Sequence, residues 1–194
     1  MLGFDPRTRT TLPRAIGYFA AEERLVHYWR YDSYDDWTAR LHRKDTGRED
    51  YFRKVRPLME TQESSFLMPA PGAALTPYWG NGKDWLPGDA PVADLAQHPQ
   101  LVVEERLLDF RPGGLPEAWA ALERLGTIAN LLGCFSTLVG RQHQVALLRW
   151  HADRAAQEKG AGFPASVEAL ALRSRTTVLT PVRLPGFSPL FRGA

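Results

Sequence analysis

Apolar and polar positions alternate most clearly in two stretches of the chain. The first, IGYFAAEERLVHYWRYD (residues 16–32), reads as two short strands joined by a tight charged turn at Glu22–Arg24. The second, LLGCFSTLVGRQHQVALLRWHAD (residues 131–153), reads as another strand pair with its turn around Gly140–His143. A polar, amphipathic stretch with helical spacing follows each pair. After the first, Trp37, Leu41 and, beyond a break near Gly47, Tyr51, Val55 and Leu58 recur at helical intervals, with Ser33 placed as N-cap and Asp36 in the first turn. Each stretch ends in a short strand before a proline, SSFLMP at 64–69 and TTVLTP at 176–181.

The second half also has an opening that the first half lacks. LVVEERLLDF (101–110) is β-rich and leads through Arg111-Pro112-Gly113-Gly114 into LPEAWAALERLG, where Leu115, Trp119 and Leu122 share a helical face and Gly126 is the stop. The second unit therefore reads β-α-β-β-α-β, the ferredoxin-like order, and the first reads β-β-α-β. In that order the opening strand lies inside the sheet, so the first unit is short of a neighbour. Residues 6–12 as a makeshift strand, a strand from another chain, or a misplaced gene start are the three explanations, and a truncated first unit is the expected one. The Pro/Gly-dense run from Pro69 to Pro99 breaks both periodicities and reads as a connection that Tyr78, Trp79 and Trp85 pack onto the protein. The expected organisation is residues 1–71 as a truncated unit, 72–99 as a linker and 100–194 as a complete unit. The fold class is α+β with antiparallel sheets.

Composition narrows the function classes without choosing one. The chain of 194 residues is 44% hydrophobic and 24% charged, which excludes wholesale disorder. Twenty-four Lys and Arg against 22 Asp and Glu leave a net charge of +2, too little for a dedicated nucleic-acid surface. No apolar run is long enough to span a membrane. The single Cys134 excludes an intrachain disulfide and a Cys-based zinc cluster. The N-terminal residues carry no apolar core of a secretory signal, so the expected location is cytoplasmic.

At several of these positions the chain resembles the NIPSNAP family, in tandem. Gly17-Tyr18-Phe19 and His27-Tyr28-Trp29-Arg30-Tyr31-Asp32-Ser33 are similar to that family's hairpin. Arg56-Pro57-Leu58 through Gln62-Glu63 to Phe66-Leu67-Met68-Pro69 are similar to its closing segment. In the second unit Glu104-Glu105-Arg106 and Arg111-Pro112-Gly113 resemble the opening strand and turn, and Phe187-Ser188-Pro189-Leu190 the tail. The resemblance implies two ferredoxin-like units of the dimeric α/β-barrel type, the first lacking its opening β-α, paired within one chain as a pseudo-dimer or between chains as a dimer. It implies no settled catalytic activity. The functional expectation is binding of a small molecule or protein partner on the barrel. The rival is a cofactor-independent enzyme, monooxygenase- or isomerase-like.

The candidate ligand-binding residues are His27, Trp29, Arg30, Tyr31, Glu104 and Arg106; no catalytic residue is identified and no cofactor is expected. Alternation puts His27, Trp29 and Tyr31 on one face of their strand and Tyr28 and Arg30 on the other. A flat ligand held in a cleft by aromatics, with His27 as acid or base, is one reading; an inert amphipathic strand is the other. Glu104 and Arg106 share a face and either grip a carboxylate or phosphate or form a structural pair. The five histidines show no metal-ligand spacing. Gly80-Asn81-Gly82-Lys83 lacks the spacing of a phosphate loop.

Overall fold

A computed structural model of the chain describes residues 15–42, 46–160 and 164–193. The first hairpin forms β1 (Ala15–Ala20) and β2 (Leu25–Trp29). Ser33 then caps α1 (Tyr34–Leu41): its Oγ accepts from the Asp36 N–H at 3.1 Å, and Asp35 and Asp36 sit in the first turn, where the helix dipole favours acids. The helical pattern breaks after Leu41 and resumes as α2 (Thr46–Val55), so Gly47 lies inside the second helix rather than at the break. β3 (Phe66–Pro69) closes the first unit. Residues 6–12, one of the three alternatives as a makeshift strand, lie outside the described residues.

The Pro/Gly-rich run is more ordered than its composition suggests. It holds a 3-10 turn at Ala73–Leu75 and the two-residue strands β4 (Trp79–Gly80), β5 (Lys83–Asp84) and β6 (Ala93–Asp94). The second unit follows as β7 (Val102–Asp109), α3 (Leu115–Arg124), β8 (Leu131–Val139), β9 (Gln144–His151), α4 (Arg154–Lys159), α5 (Ala165–Glu168) and β10 (Arg173–Pro181). The last of these starts at Arg173, earlier than the expected Thr176. Gly126 takes φ +67° just past α3, a backbone conformation that suits the expected helix stop. A short β11 (Phe191–Arg192) pairs in parallel with β6.

Seven strands form one antiparallel sheet in the order β2-β1-β10-β7-β9-β8-β3. Within it, β10-β7-β9-β8 is the fourth-first-third-second order of a ferredoxin-like unit. The first unit is divided between the two ends of the row: its hairpin joins β10 through Phe19↔Pro181, and its closing strand joins β8 through Leu67↔Thr137. By the same order rule, an opening strand of the first unit would lie between β2 and β3, the two ends of the row among the described residues. The sheet curls, because α1, which follows β2 at one end, reaches β3 at the other: Trp37 meets Phe66 edge-to-face at 4.9 Å, and Tyr34 meets it at 5.5 Å.

The two hairpins repeat one local device. Each has a bulge just before its glycine, between Ala15 and Gly17 and between Leu131 and Gly133. A Cβ on Gly17 would lie 2.7 Å from Phe19 Cζ, and one on Gly133 would lie 2.6 Å from Phe135 Cζ. Each glycine is thus the site over which the following Phe ring folds.

Both faces of the sheet's middle are covered, while Arg173–Thr176 at one end of β10 are exposed. One carries Leu108, Leu131, Cys134, Val145 and Leu147 against Ala118, Ala121 and Leu122 of α3. On the inner face of the curl, Phe19, Val103, Leu132, Leu148 and Leu179 converge, and Trp79, Trp85, Leu95, Leu190 and Phe191 fill the space over them. The connection packs on the protein through Trp79 and Trp85, as those rings led us to expect, and its contribution is to the core of the inner face. Trp79 and Trp85 are 7% and 5% exposed, and the Trp79 indole N–H donates to the Trp85 carbonyl at 3.3 Å.

Candidate functional site

Three polar or aromatic clusters arise from the alternation along the strands. The first lies on the inner face, beside the aromatic plug. The β2–β1 register pairs Tyr28 with Gly17, and the β10–β7 register pairs Thr177 with Glu105, so these side chains project into the curl. The buried Glu105 carboxylate accepts from the Tyr28 hydroxyl at 2.6 Å and pairs with Arg24 of the β1–β2 turn, whose guanidinium also donates to Thr177 Oγ1 at 3.1 Å. Burial, then the Glu105 charge and hydrogen bond, pushes the Tyr28 phenol well above its usual pKa despite the opposing Arg24 charge. Tyr28 therefore stays protonated as a donor, and Glu105 stays held from two sides.

The second cluster lies on the face covered by the helices. Glu104, fully buried, meets Arg106 at 3.3 Å and its cross-strand partner Arg149 at 3.1 Å, and accepts from Gln157 at 3.2 Å. Arg106 also pairs with Glu168 of α5, so two acids balance two arginines. Burial acts to raise the Glu104 pKa; the Gln157 and Arg149 hydrogen bonds and the Arg149 and Arg106 charges outweigh it and hold the carboxyl below its usual range. His151 Nε2 lies 3.3 Å from Glu104 Oε2 without the alignment of a hydrogen bond. Burial and Arg149 lower the His151 pKa more than Glu104 raises it, leaving the imidazole neutral near pH 7.

The third cluster is aromatic and faces away from the curl. His27 stacks on Tyr18 at 5.3 Å and 18°, Trp29 meets Tyr18 edge-on at 5.7 Å, and Phe187 packs on Tyr18 at 5.0 Å. The Trp29 indole donates to His27 Nδ1, and partial burial lowers the His27 pKa. The tail holds this patch in place: Ser188 Oγ donates to the Tyr18 carbonyl at 2.7 Å, and the Tyr18 N–H bonds the Phe187 carbonyl at 3.0 Å.

The six sequence candidates are thus dispersed. His27 and Trp29 share the outer face, as alternation requires. Tyr31 lies beyond the end of β2, where alternation no longer applies. Arg30 pairs with Asp32 at 2.6 Å and with Asp84 of β5. Glu104 and Arg106 sit together across the sheet from Glu105, which sequence reasoning passed over. Two clefts of about 410 and 440 Å³ open among the described residues, one lined by Leu107, Asp109, Arg141, Gln144, Arg173 and Arg175, the other by Glu22, Arg154, Gln157, Thr176, Thr177 and Val178. Neither is lined by His27 or Arg30. Among the described residues, no group of three His, Cys, Asp or Glu side chains is placed to hold a metal ion, and no helix is long and apolar enough to cross a membrane.

Comparison with known proteins adds the following. Residues 3–73 match the NIPSNAP family model. No curated protein matches the chain. An uncharacterized NIPSNAP-like domain protein from Burkholderia xenovorans is 27% identical, with a TM-score of 0.38 over 44% of this chain and 87% of its own. A NIPSNAP family protein from Agrobacterium tumefaciens is also 27% identical, with a TM-score of 0.38 over 47% of this chain and 91% of its own. A putative monooxygenase from Lactobacillus acidophilus is 8% identical, with a TM-score of 0.51 over 90% of this chain and 84% of its own, a likeness of fold alone.

Proposed function

We propose that this chain, which carries a NIPSNAP-family segment over residues 3–73, is a binding module without catalytic activity that engages protein at the free edges of its curled sheet, a second copy of itself first. The observation that carries this reading is the filled inner face. Trp79, Trp85, Leu190 and Phe191 occupy the space over Phe19, Leu132, Leu148 and Leu179, where an enzyme of this fold would need a cavity. Among the described residues the edges of β2 and β3 are the ends of the sheet, and their backbone donors and acceptors are a template for strand addition. Exposed apolar side chains mark the same region: Leu25 on β2 is 55% exposed, Met68 on β3 is 49%, and Leu138 on β8 is 57%.

The enzyme reading would place His27 or Arg30 in an open cavity. His27 instead stacks on the outer face, and Arg30 is paired with two aspartates. The test is the solution mass by light scattering of the wild type and of a Leu25→Lys/Met68→Lys variant. The reading expects a wild-type dimer and a folded, monomeric variant, because edge charges oppose strand pairing. A wild type that is monomeric at every concentration would overturn it.

A further inference from the structure

We propose that the end of the inner face beyond the aromatic plug is a binding site for a small oxyanion carrying two or more negative charges, a phosphate ester or polycarboxylate. Along β10 the inner-facing positions run Arg173, Arg175, Thr177, Leu179, so the face changes from apolar under the plug, through the Glu105–Arg24 pair, to cationic at the far end. There a cleft of about 410 Å³ is lined by Arg141, Arg173 and Arg175 with Leu107, Gln144, Ser174 and Asp109, a volume within the range of small-molecule sites, about 300–1,000 Å³.

Asp109 is the one acid of that lining, and both its oxygens are taken. Oδ1 accepts from Gln144 at 2.7 Å, and Oδ2 pairs with Arg141 at 2.8 Å. Arg173 stands directly across from Asp109 in the β10–β7 register without pairing with it. No described residue makes an ion pair or side-chain hydrogen bond with Arg173 or Arg175. Two guanidiniums thus project from the same face of one strand, about 7 Å apart at their Cα atoms, over an apolar floor at Leu107. Planar guanidinium forks match the oxygen edges of phosphate and carboxylate, so a ligand with adjacent anionic groups satisfies both arginines at once. The site lies apart from the β2 and β3 edges, and its test is independent of the assembly reading.

The test is isothermal titration of the whole chain with pyrophosphate and, separately, citrate. The expected result is one saturable site for at least one of the two anions, weakened by salt. Arg175→Gln and Arg173→Gln should each raise its Kd about tenfold or more, whereas Arg124→Gln, the same charge change on the exposed end of α3, should leave it unchanged. Preference for pyrophosphate or for citrate separates phosphate esters from polycarboxylates. Far-UV circular dichroism of each variant checks that the fold is retained. No saturable binding of either anion, or equal weakening by Arg124→Gln, would overturn the proposal.

Discussion

Replacing Trp79 by Ala tests whether the Pro/Gly-rich segment is core or connection. A buried tryptophan removes about 150–250 Å² from water, which at about 25 cal/mol/Å² corresponds to about 4–6 kcal/mol. Trp79 is 7% exposed, packs at 5.9 Å from Phe135 and at 6.3 Å from Trp85, and donates to the Trp85 carbonyl. Alanine keeps a fraction of that burial and leaves a cavity over Phe135, so the expected loss is about 3–5 kcal/mol. That is a large share of a typical domain's stability of about 5–15 kcal/mol. Urea unfolding followed by far-UV circular dichroism measures it without relying on the indole that was removed. Leu86→Ala, in the same segment but 39% exposed, is the control, with an expected loss below about 1 kcal/mol. Equal, small losses for the two variants would mean that the segment lies on the surface, and the filled inner face would fall with it.

Other consequences can be measured on the same scale. Gly133→Ala places a Cβ 2.6 Å from Phe135 Cζ and should cost about 1–3 kcal/mol in urea unfolding, and Gly17→Ala should behave alike through Phe19; no loss in either would refute the repeated glycine-under-phenylalanine device. Acid should destabilise the fold in two windows. His151, with its pKa lowered, binds protons more readily unfolded, so stability falls as pH drops below about 6.5. Glu104, also lowered, contributes fully above the ordinary glutamate range and loses its contribution as pH falls through its folded value. His151→Asn should shrink the upper window, which His27 with its own lowered pKa shares, and leave the lower one, read as urea midpoints between pH 8 and pH 4. Cys134 is fully buried, and burial pushes its thiol up to about 12, so a thiol reagent at pH 8 should react only as fast as the protein opens; rapid labelling of the folded protein would contradict the placement.

Local signals were enough for the elements that local physics governs. The alternation around Gly17–Trp29 and the Ser33 cap lie where they were expected, because period-two patterning and a side-chain-to-backbone bond depend only on near neighbours. The opening strand and helix of the second unit were legible for the same reason. For residues 72–99 the sequence told only that Tyr78, Trp79 and Trp85 pack the run onto the protein, not which face it fills. Proline and glycine erase periodicity, and nothing near Trp79 or Trp85 tells which surface those rings will cover.

Glu105 illustrates the same limit from the other side. Alternation puts it on the face opposite Glu104 and Arg106, and at this point of the sheet both faces are buried, so a carboxylate on either side needs partners. Its partners Arg24 and Tyr28 come from a hairpin distant in sequence. His27 and Trp29 were rightly assigned a common face; that it is the outer one depends on how the sheet curls. The break near Gly47 ends one residue before it, and Gly47 itself falls in the first turn of α2, where a glycine is tolerated because the intrahelical bonds have yet to begin.

Hydrogen–deuterium exchange at two protein concentrations tests the central claim most directly. If β2 and β3 are free edges that pair between copies, their amides should be protected at high concentration and exchange quickly on dilution, while β7 and β9, inside the sheet, stay protected throughout. Protection of β2 and β3 that equals that of β7 and does not change on dilution would contradict the account.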